Sequence, residues 1–175
     1  VCGKVVAAVE ESELPFMEKI YNNGIENKTE GIERISGDQV REIEPFVKSV
    51  GGIWVPCTGI IDFKSATEKM VEIALGINDS SKLLLGQTVI SVVSNEEINE
   101  LVLETSTVKA KEMIFCAGLQ AERLAKMNGV KLKEKVVGFR GDYYDLTEQA
   151  KHKVKNLIYP VPNPDFPFLG VHFTR

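Results

Sequence analysis

The chain is short of the residue types that announce most specialised chemistries. Three cysteines occur in 175 residues, Cys2, Cys57 and Cys116, and none forms a CxxC pair. The histidines are His152 and His172. So few soft ligands at such spacing argue against a zinc site, and no metal is expected. An odd, scattered cysteine set argues equally against a disulfide framework, and the apolar runs around Cys2 and Cys116 suit buried, reduced thiols. No apolar run approaches the roughly 20 residues that span a bilayer, and no signal-peptide pattern is visible. A positive excess is missing too: the net charge is -4, which removes any global pull towards nucleic acid or anionic lipid.

What is present is ordinary in bulk. Hydrophobic residues make up 43% and charged residues 26%, the balance of a soluble globular protein. The length allows one domain or two small interleaved ones. Both ends, Val1–Ala8 and Phe168–Arg175, read as strands, and there is no initiator Met. Natural termini are usually polar and frayed, so this pattern predicts a piece of a longer protein.

Turn and cap signals divide the chain. Ser12 as N-cap, Pro15 in the first turn and Gly24 as stop predict a first helix. Ser36 and Gln39 have capping-box spacing for a second helix that ends before Pro45. Gly52–Val55 reads as a strand. Asp62 caps a third helix with Phe63, Ala66, Met70, Ile73 and Ala74 on one stripe and Gly76 as its end. Lys82 to Val93, as one strand or two joined at Gly86, with Leu101 to Thr105 and Val108 to Ala110, reads as a small antiparallel meander. A strand Met113–Gly118 leads into a helix over 119–129, with Ala121, Leu124 and Ala125 as its buried stripe. Val136 to Leu146 alternates like a long strand, 147–155 is a short polar helix or turn, and Leu157–Val161 and Phe168–Arg175 are strands around a proline-rich turn. A strand that stops at Ala117-Gly118 and turns into a helix leaves free N–H groups, a terminus that suits an anion such as a pyrophosphate. The competing reading is an ordinary strand–helix joint.

Four segments taken in order carry a resemblance: Val55-Pro-Cys-Thr-Gly-Ile-Ile-Asp62, Ile114-Phe-Cys-Ala-Gly118, Val137-Gly-Phe-Arg-Gly-Asp-Tyr-Tyr144, and Ile158 through Arg175. Together they resemble the middle part of the FAD-dependent D-amino acid oxidase superfamily, closest to its L-2-hydroxyglutarate oxidase/dehydrogenase branch. The resemblance implies an α/β to α+β fold. Part of an FAD-binding Rossmann-like layer would be interleaved with an antiparallel-sheet substrate domain. The expected division is 1–56 and 133–175 for the substrate domain and 57–132 for the FAD domain. The resemblance also implies that Val89, Cys116, Ala117, Gly118 and Leu119 lie against FAD, with Val89 at the adenine. The dinucleotide fingerprint GxGxxG is absent, so FAD is expected in the full-length parent and not in this piece.

Oxidation of a 2-hydroxy acid by a flavin needs a base at the hydroxyl and a cation at the carboxylate. His172 has a suitable intrinsic pKa and shares a strand face with Gly170 and Thr174. The competing reading is a histidine that merely satisfies a neighbour on a sheet. Arg140 and Arg175 are the candidate carboxylate forks, and Arg140 could instead pair with Asp142 on the solvent side. Tyr143 or Tyr144 could wall a pocket; Asp62 reads as a cap and His152 as a surface residue. The implied partners are a small 2-hydroxy acid and a quinone or oxygen as electron acceptor, in the cytoplasm or peripheral to an inner membrane, mitochondrial in a eukaryote. Glycerol 3-phosphate or amino-acid oxidation, and a non-catalytic Rossmann-like module, are the alternatives.

Overall fold

The computed structural model describes residues 1–95, 97–166 and 170–174. In chain order its strands are β1 (Lys4–Ala8), β2 (Glu33–Ser36), β3 (Gly51–Val55), β4 (Val89–Ser94), β5 (Asn99–Leu103), β6 (Thr107–Ala110) and β7 (Leu157–Pro160). Its α-helices are α1 (Leu14–Glu26), α2 (Gly37–Ile43), α3 (Phe63–Ile77) and α4 (Ala121–Met127). The class is mixed α/β with two sheets, as the residues led one to expect. Two compact units divide the chain: Val1–Ala66 with Tyr144–Arg175, and Thr67–Tyr143.

The first unit is built on a four-stranded sheet in the order β2-β3-β1-β7. β1 runs antiparallel to β3 and parallel to β7, so a strand from the end of the chain completes a sheet begun at its start. Alternation along β1 fills both faces. Val6 and Ala8 pack with Ile53, Val161 and Met17 of α1. Val5 and Ala7 pack with Ile35 and Val40 of α2. Val5, Ala8, Val40 and Ile53 are wholly shielded, and burying an aliphatic side chain of this size stabilises by about 1.5–3 kcal/mol. Gly52 permits the close approach of α2: a Cβ there would fall 2.8 Å from Val40 Cγ2 and 3.0 Å from the Val6 carbonyl oxygen.

Glu44, the C-cap residue of α2, is fully buried. Its carboxylate accepts hydrogen bonds from the backbone N–H of Lys155 (3.2 Å) and of Asn156 (2.6 Å) and from Asn156 Nδ2 (2.8 Å). One side chain thus ties the end of α2 to the entry of β7, 111 residues away along the chain. A buried carboxylate is tolerated because donors surround it.

Helix ends follow local chemistry. The capping box of α2 is formed as expected, with Ser36 Oγ accepting from Gln39 N–H and Gln39 Oε1 from Ser36 N–H. α1 differs. Ser12 does not cap it; Glu10 and Glu13 form a capping box around a 3-10 turn, with Glu13 Oε2 accepting from the N–H groups of Val9 and Glu10. Gly24 lies inside α1, and the chain turns out at Lys28, whose φ is 55°. The short strand β2 follows, which alternation over only four residues did not reveal.

The second unit is an antiparallel meander, β4-β5-β6, with α4 beside it; the meander is as expected, but its first strand begins at Val89 and residues 82–88 form no strand. Its shielded apolar residues, among those described, are Val92 and Leu103. Ser94 Oγ and Asn128 Oδ1, 2.7 Å apart, link β4 to the end of α4.

Several expectations need correction. Residues 113–117 are irregular chain without strand pairing, and α4 starts at Ala121 after a 3-10 turn over Gly118–Gln120. Strand identity needs a ladder partner, and no described residue pairs with this run. Residues 136–146 likewise form no strand, despite their alternation. The stripe Ala121, Leu124, Ala125 is not buried, the stripe Phe63, Met70 and Ile73 of α3 is exposed, and Cys57 and Cys116 are exposed free thiols. Gly76 lies within α3 rather than at its end. Of the expected strand 168–175, Phe168, Leu169 and Arg175 lie outside the described residues; Phe173 makes an antiparallel bridge to Ile158.

Candidate functional site

Two constellations carry chemistry, one in each unit. In the second unit a groove of about 370 Å³ lies between the meander and the chain that leads to α4. Val89, Leu101, Phe115, Cys116, Ala117 and Leu124 are among its walls. Three of the expected cofactor residues, Val89, Cys116 and Ala117, therefore meet around one space. Gly118 and Leu119 follow directly in the chain but do not line it. The β4–β5 ladder slips between Val89 and Ser91, so the backbone beside Val89 leaves the regular pairing. Gly118 has φ of 50°, and a Cβ there would meet nothing within 4 Å.

The side chains of the groove are apolar apart from the Cys116 thiol. Its size and lining suit one flat ring of a dinucleotide cofactor, with backbone groups as the polar handles. They do not suit a pyrophosphate. α4 has seven residues and no side-chain cap, and no glycine fingerprint precedes it. The wall that this joint gives the groove is apolar. On the far side of α4, Glu122 accepts hydrogen bonds from Lys126 Nζ and from Val136 N–H, and these hold its carboxyl below the usual range. Arg140 belongs to this unit too. It is exposed and pairs with Asp142 at 2.7 Å, so the solvent-side ion pair is the geometry observed.

In the first unit the constellation is His172, Tyr159 and Lys4. Val6 is in register with Tyr159 across the parallel pair, which puts Lys4, two residues before Val6, on the Tyr159 face. The Phe173–Ile158 bridge places the neighbouring His172 on that face as well. The His172 ring stacks on Tyr159 with centroids 4.7 Å apart and planes at 25°. Lys4 Nζ lies 5.0 Å from the centre of the same ring. His172 Nδ1 is 3.1 Å from the Gly170 carbonyl oxygen. A carbonyl only accepts, so this contact selects the tautomer with its proton on Nδ1 and leaves Nε2 with a lone pair. Gly170 is needed here: a Cβ would fall 2.9 Å from Pro160 Cγ.

Thr174 is exposed and adjacent in sequence, and Arg175 lies outside the described residues. Tyr143 and Tyr144 are both exposed and wall nothing. Asp62 is a cap: its carboxylate accepts from Lys64 N–H, Ser65 N–H and Ser65 Oγ. The Ser65 hydroxyl, then the two N–H groups, hold Asp62 below the usual carboxylate range. His152 is exposed, edge-on to Phe46. Sequence reasoning missed Lys4 and Tyr159. The available signal was a lone lysine alternating with Val6 and Ala8 in an otherwise apolar strand.

These units have known counterparts. The fold is shared with the dithionite-reduced, FAD-bound L-α-glycerophosphate oxidase of Mycoplasma pneumoniae, with a TM-score of 0.68 at 19% identity, over 92% of this chain and 43% of that one. That likeness is one of fold. The chain belongs to the DAO family, described as FAD dependent oxidoreductase, whose pattern matches residues 1–175. An L-2-hydroxyglutarate dehydrogenase of Indibacter alkaliphilus is 37% identical over 174 residues, covering 99% of this chain and 43% of its own length. A mitochondrial L-2-hydroxyglutarate dehydrogenase of Caenorhabditis briggsae is 35% identical over 178 residues, covering 98% and 41%. The chain thus spans about two fifths of the curated relatives it matches. Among the described residues no helix is long and apolar enough to cross a membrane.

Proposed function

We propose that this chain is the central part of an FAD-dependent enzyme that oxidises L-2-hydroxyglutarate to 2-oxoglutarate. The observation that carries the reading is 37% identity sustained over 174 residues to a dehydrogenase of that acid. The division of labour proposed is a substrate part, 1–56 with 133–175, and an FAD part over 57–132, whose bounds differ from those of the two compact units at Ala66 and Tyr143. Val89, Cys116 and Ala117 would hold one ring of the cofactor, with Gly118 and Leu119 beside it.

When bound, FAD supplies a two-electron acceptor for the hydride that leaves Cα. The chain's own residues do the rest. His172 Nε2 takes the hydroxyl proton, while the Nδ1 contact to Gly170 and the Tyr159 stack fix the ring. Thr174 offers a hydroxyl next to it. Arg140 and Arg175 remain the candidate carboxylate forks, Arg140 only after exchanging Asp142 for substrate. Electrons pass onward to a quinone or to oxygen, in the cytoplasm or, in a eukaryote, the mitochondrion.

The test is rapid-mixing spectroscopy of the full-length protein. His172→Ala is expected to slow flavin reduction by L-2-hydroxyglutarate by about 10²–10⁴-fold, the usual contribution of a general base. An unchanged rate removes His172 as the base. A flavin reduced by glycerol 3-phosphate or an amino acid and untouched by L-2-hydroxyglutarate overturns the substrate.

A further inference from the structure

We propose that Lys4 binds a carboxylate of the substrate acid across the Tyr159 ring from His172; this rests on the substrate reading above. Three neighbouring chain segments bring the pieces together. Tyr159 of β7 lies between the other two: Lys4 comes from β1 on one side of β7, and His172 from the segment bridged to its other side. The register places all three on one face of the sheet. Lys4 Nζ and the His172 ring each lie within about 5 Å of the same Tyr159 ring centre.

All three residues are half-buried, so the face stays open to a small ligand. Lys4 has no acidic partner among the described residues; its recorded contact is the Tyr159 ring. A half-withdrawn ammonium facing only a π surface has unused hydrogen-bond capacity, since Lys carries three donors. A carboxylate would complete it. Arg140, by contrast, already has its charge answered by Asp142 and stands exposed. Lys is also suited to the task as a compact point charge on a flexible stem, able to follow a flexible diacid. Gly3 fixes the start of that stem. Its φ is 76°, and a Cβ there would fall 2.1 Å from the Trp54 ring.

The experiment uses the full-length protein with Lys4→Met and Lys4→Arg. Far-UV circular dichroism and the thermal midpoint establish that each variant is folded. Glutarate, which lacks the reactive hydroxyl, is titrated by calorimetry, and turnover is measured with L-2-hydroxyglutarate and L-2-hydroxybutyrate. Lys4→Met is expected to weaken glutarate binding and raise KM for L-2-hydroxyglutarate at least tenfold with kcat within about threefold, and Lys4→Arg to recover most of the loss. A loss shared by L-2-hydroxybutyrate assigns Lys4 to the carboxylate next to the hydroxyl; a loss confined to the diacids assigns it to the distal one. Unchanged binding and KM overturn the proposal, as does equal damage by Met and Arg. If the wild-type protein binds no diacid, the substrate reading falls and Lys4 with it. If His172→Ala leaves flavin reduction unchanged while Lys4→Met still weakens glutarate binding, the base assignment fails and Lys4 stands.

Discussion

The two units spend their apolar residues differently. In the first, β1 is shielded on both faces, with α1 on one and α2 on the other, and Ile53 and Val40 are fully enclosed. In the second, Val92 and Leu103 are shielded while Ile114 and Leu119 stand largely open, and the stripe of α3, the helix that begins in one unit and ends in the other, is exposed too. Composition does not separate the units; partners do. A strand is shielded when the chain supplies layers on both sides of it, and the second unit has a three-stranded meander with a seven-residue helix. The first unit therefore holds a defined side-chain constellation at His172, and the second holds an apolar groove.

Stability measurements can break this contrast. The largest effect is expected at the centre of the first unit: Ile53→Ala should cost about 3 kcal/mol, read as a shift of the urea midpoint at constant slope. Next comes Glu44→Ala, which strands the N–H groups of Lys155 and Asn156 and should cost about 2 kcal/mol, while Glu44→Gln should cost less. A midpoint unmoved by Glu44→Ala would mean that β7 is held without this pin. Asp62→Ala should have a smaller effect, confined to α3. The folded carboxyl lies below its unfolded value, so its contribution is present above about pH 4 and is lost as the pH falls through the folded value. Ellipticity at 222 nm should drop over that acid range in the native chain and lose this limb in the variant. The smallest effect is expected on the exposed stripe, where Met70→Ala should change stability by less than about 0.5 kcal/mol. A cost as large as that of Ile53→Ala would show the stripe to be buried in solution and would erase the contrast.

Legibility tracked locality. The capping box at Ser36 and Gln39, the Asp62 cap and the meander were readable because each is settled within a few residues. The runs 113–118 and 136–146 read as strands and are not, because alternation marks what a segment can do once a partner strand lies beside it, and none does among the described residues. Of the candidate site, Val89, Cys116 and Ala117 were expected together from the resemblance and do share a groove. His172 is legible from residue type and pattern together with the resemblance; Lys4, on the other side of Tyr159, is not, since β7 joins the sheet through a parallel pairing with β1 some 150 residues earlier.

By itself the sequence determined the mixed α/β class, the family, the caps and turns, and the short set of side chains able to do acid–base chemistry. These follow from residue type and near-neighbour spacing. Tertiary structure alone decided which of those side chains meet. It set Lys4 and His172 on either side of Tyr159 and buried Glu44 against the entry of β7. The physical reason is that the Lys4–Tyr159 and Glu44–Asn156 contacts depend on strand order and register across more than 100 residues, and no periodicity within a segment encodes them.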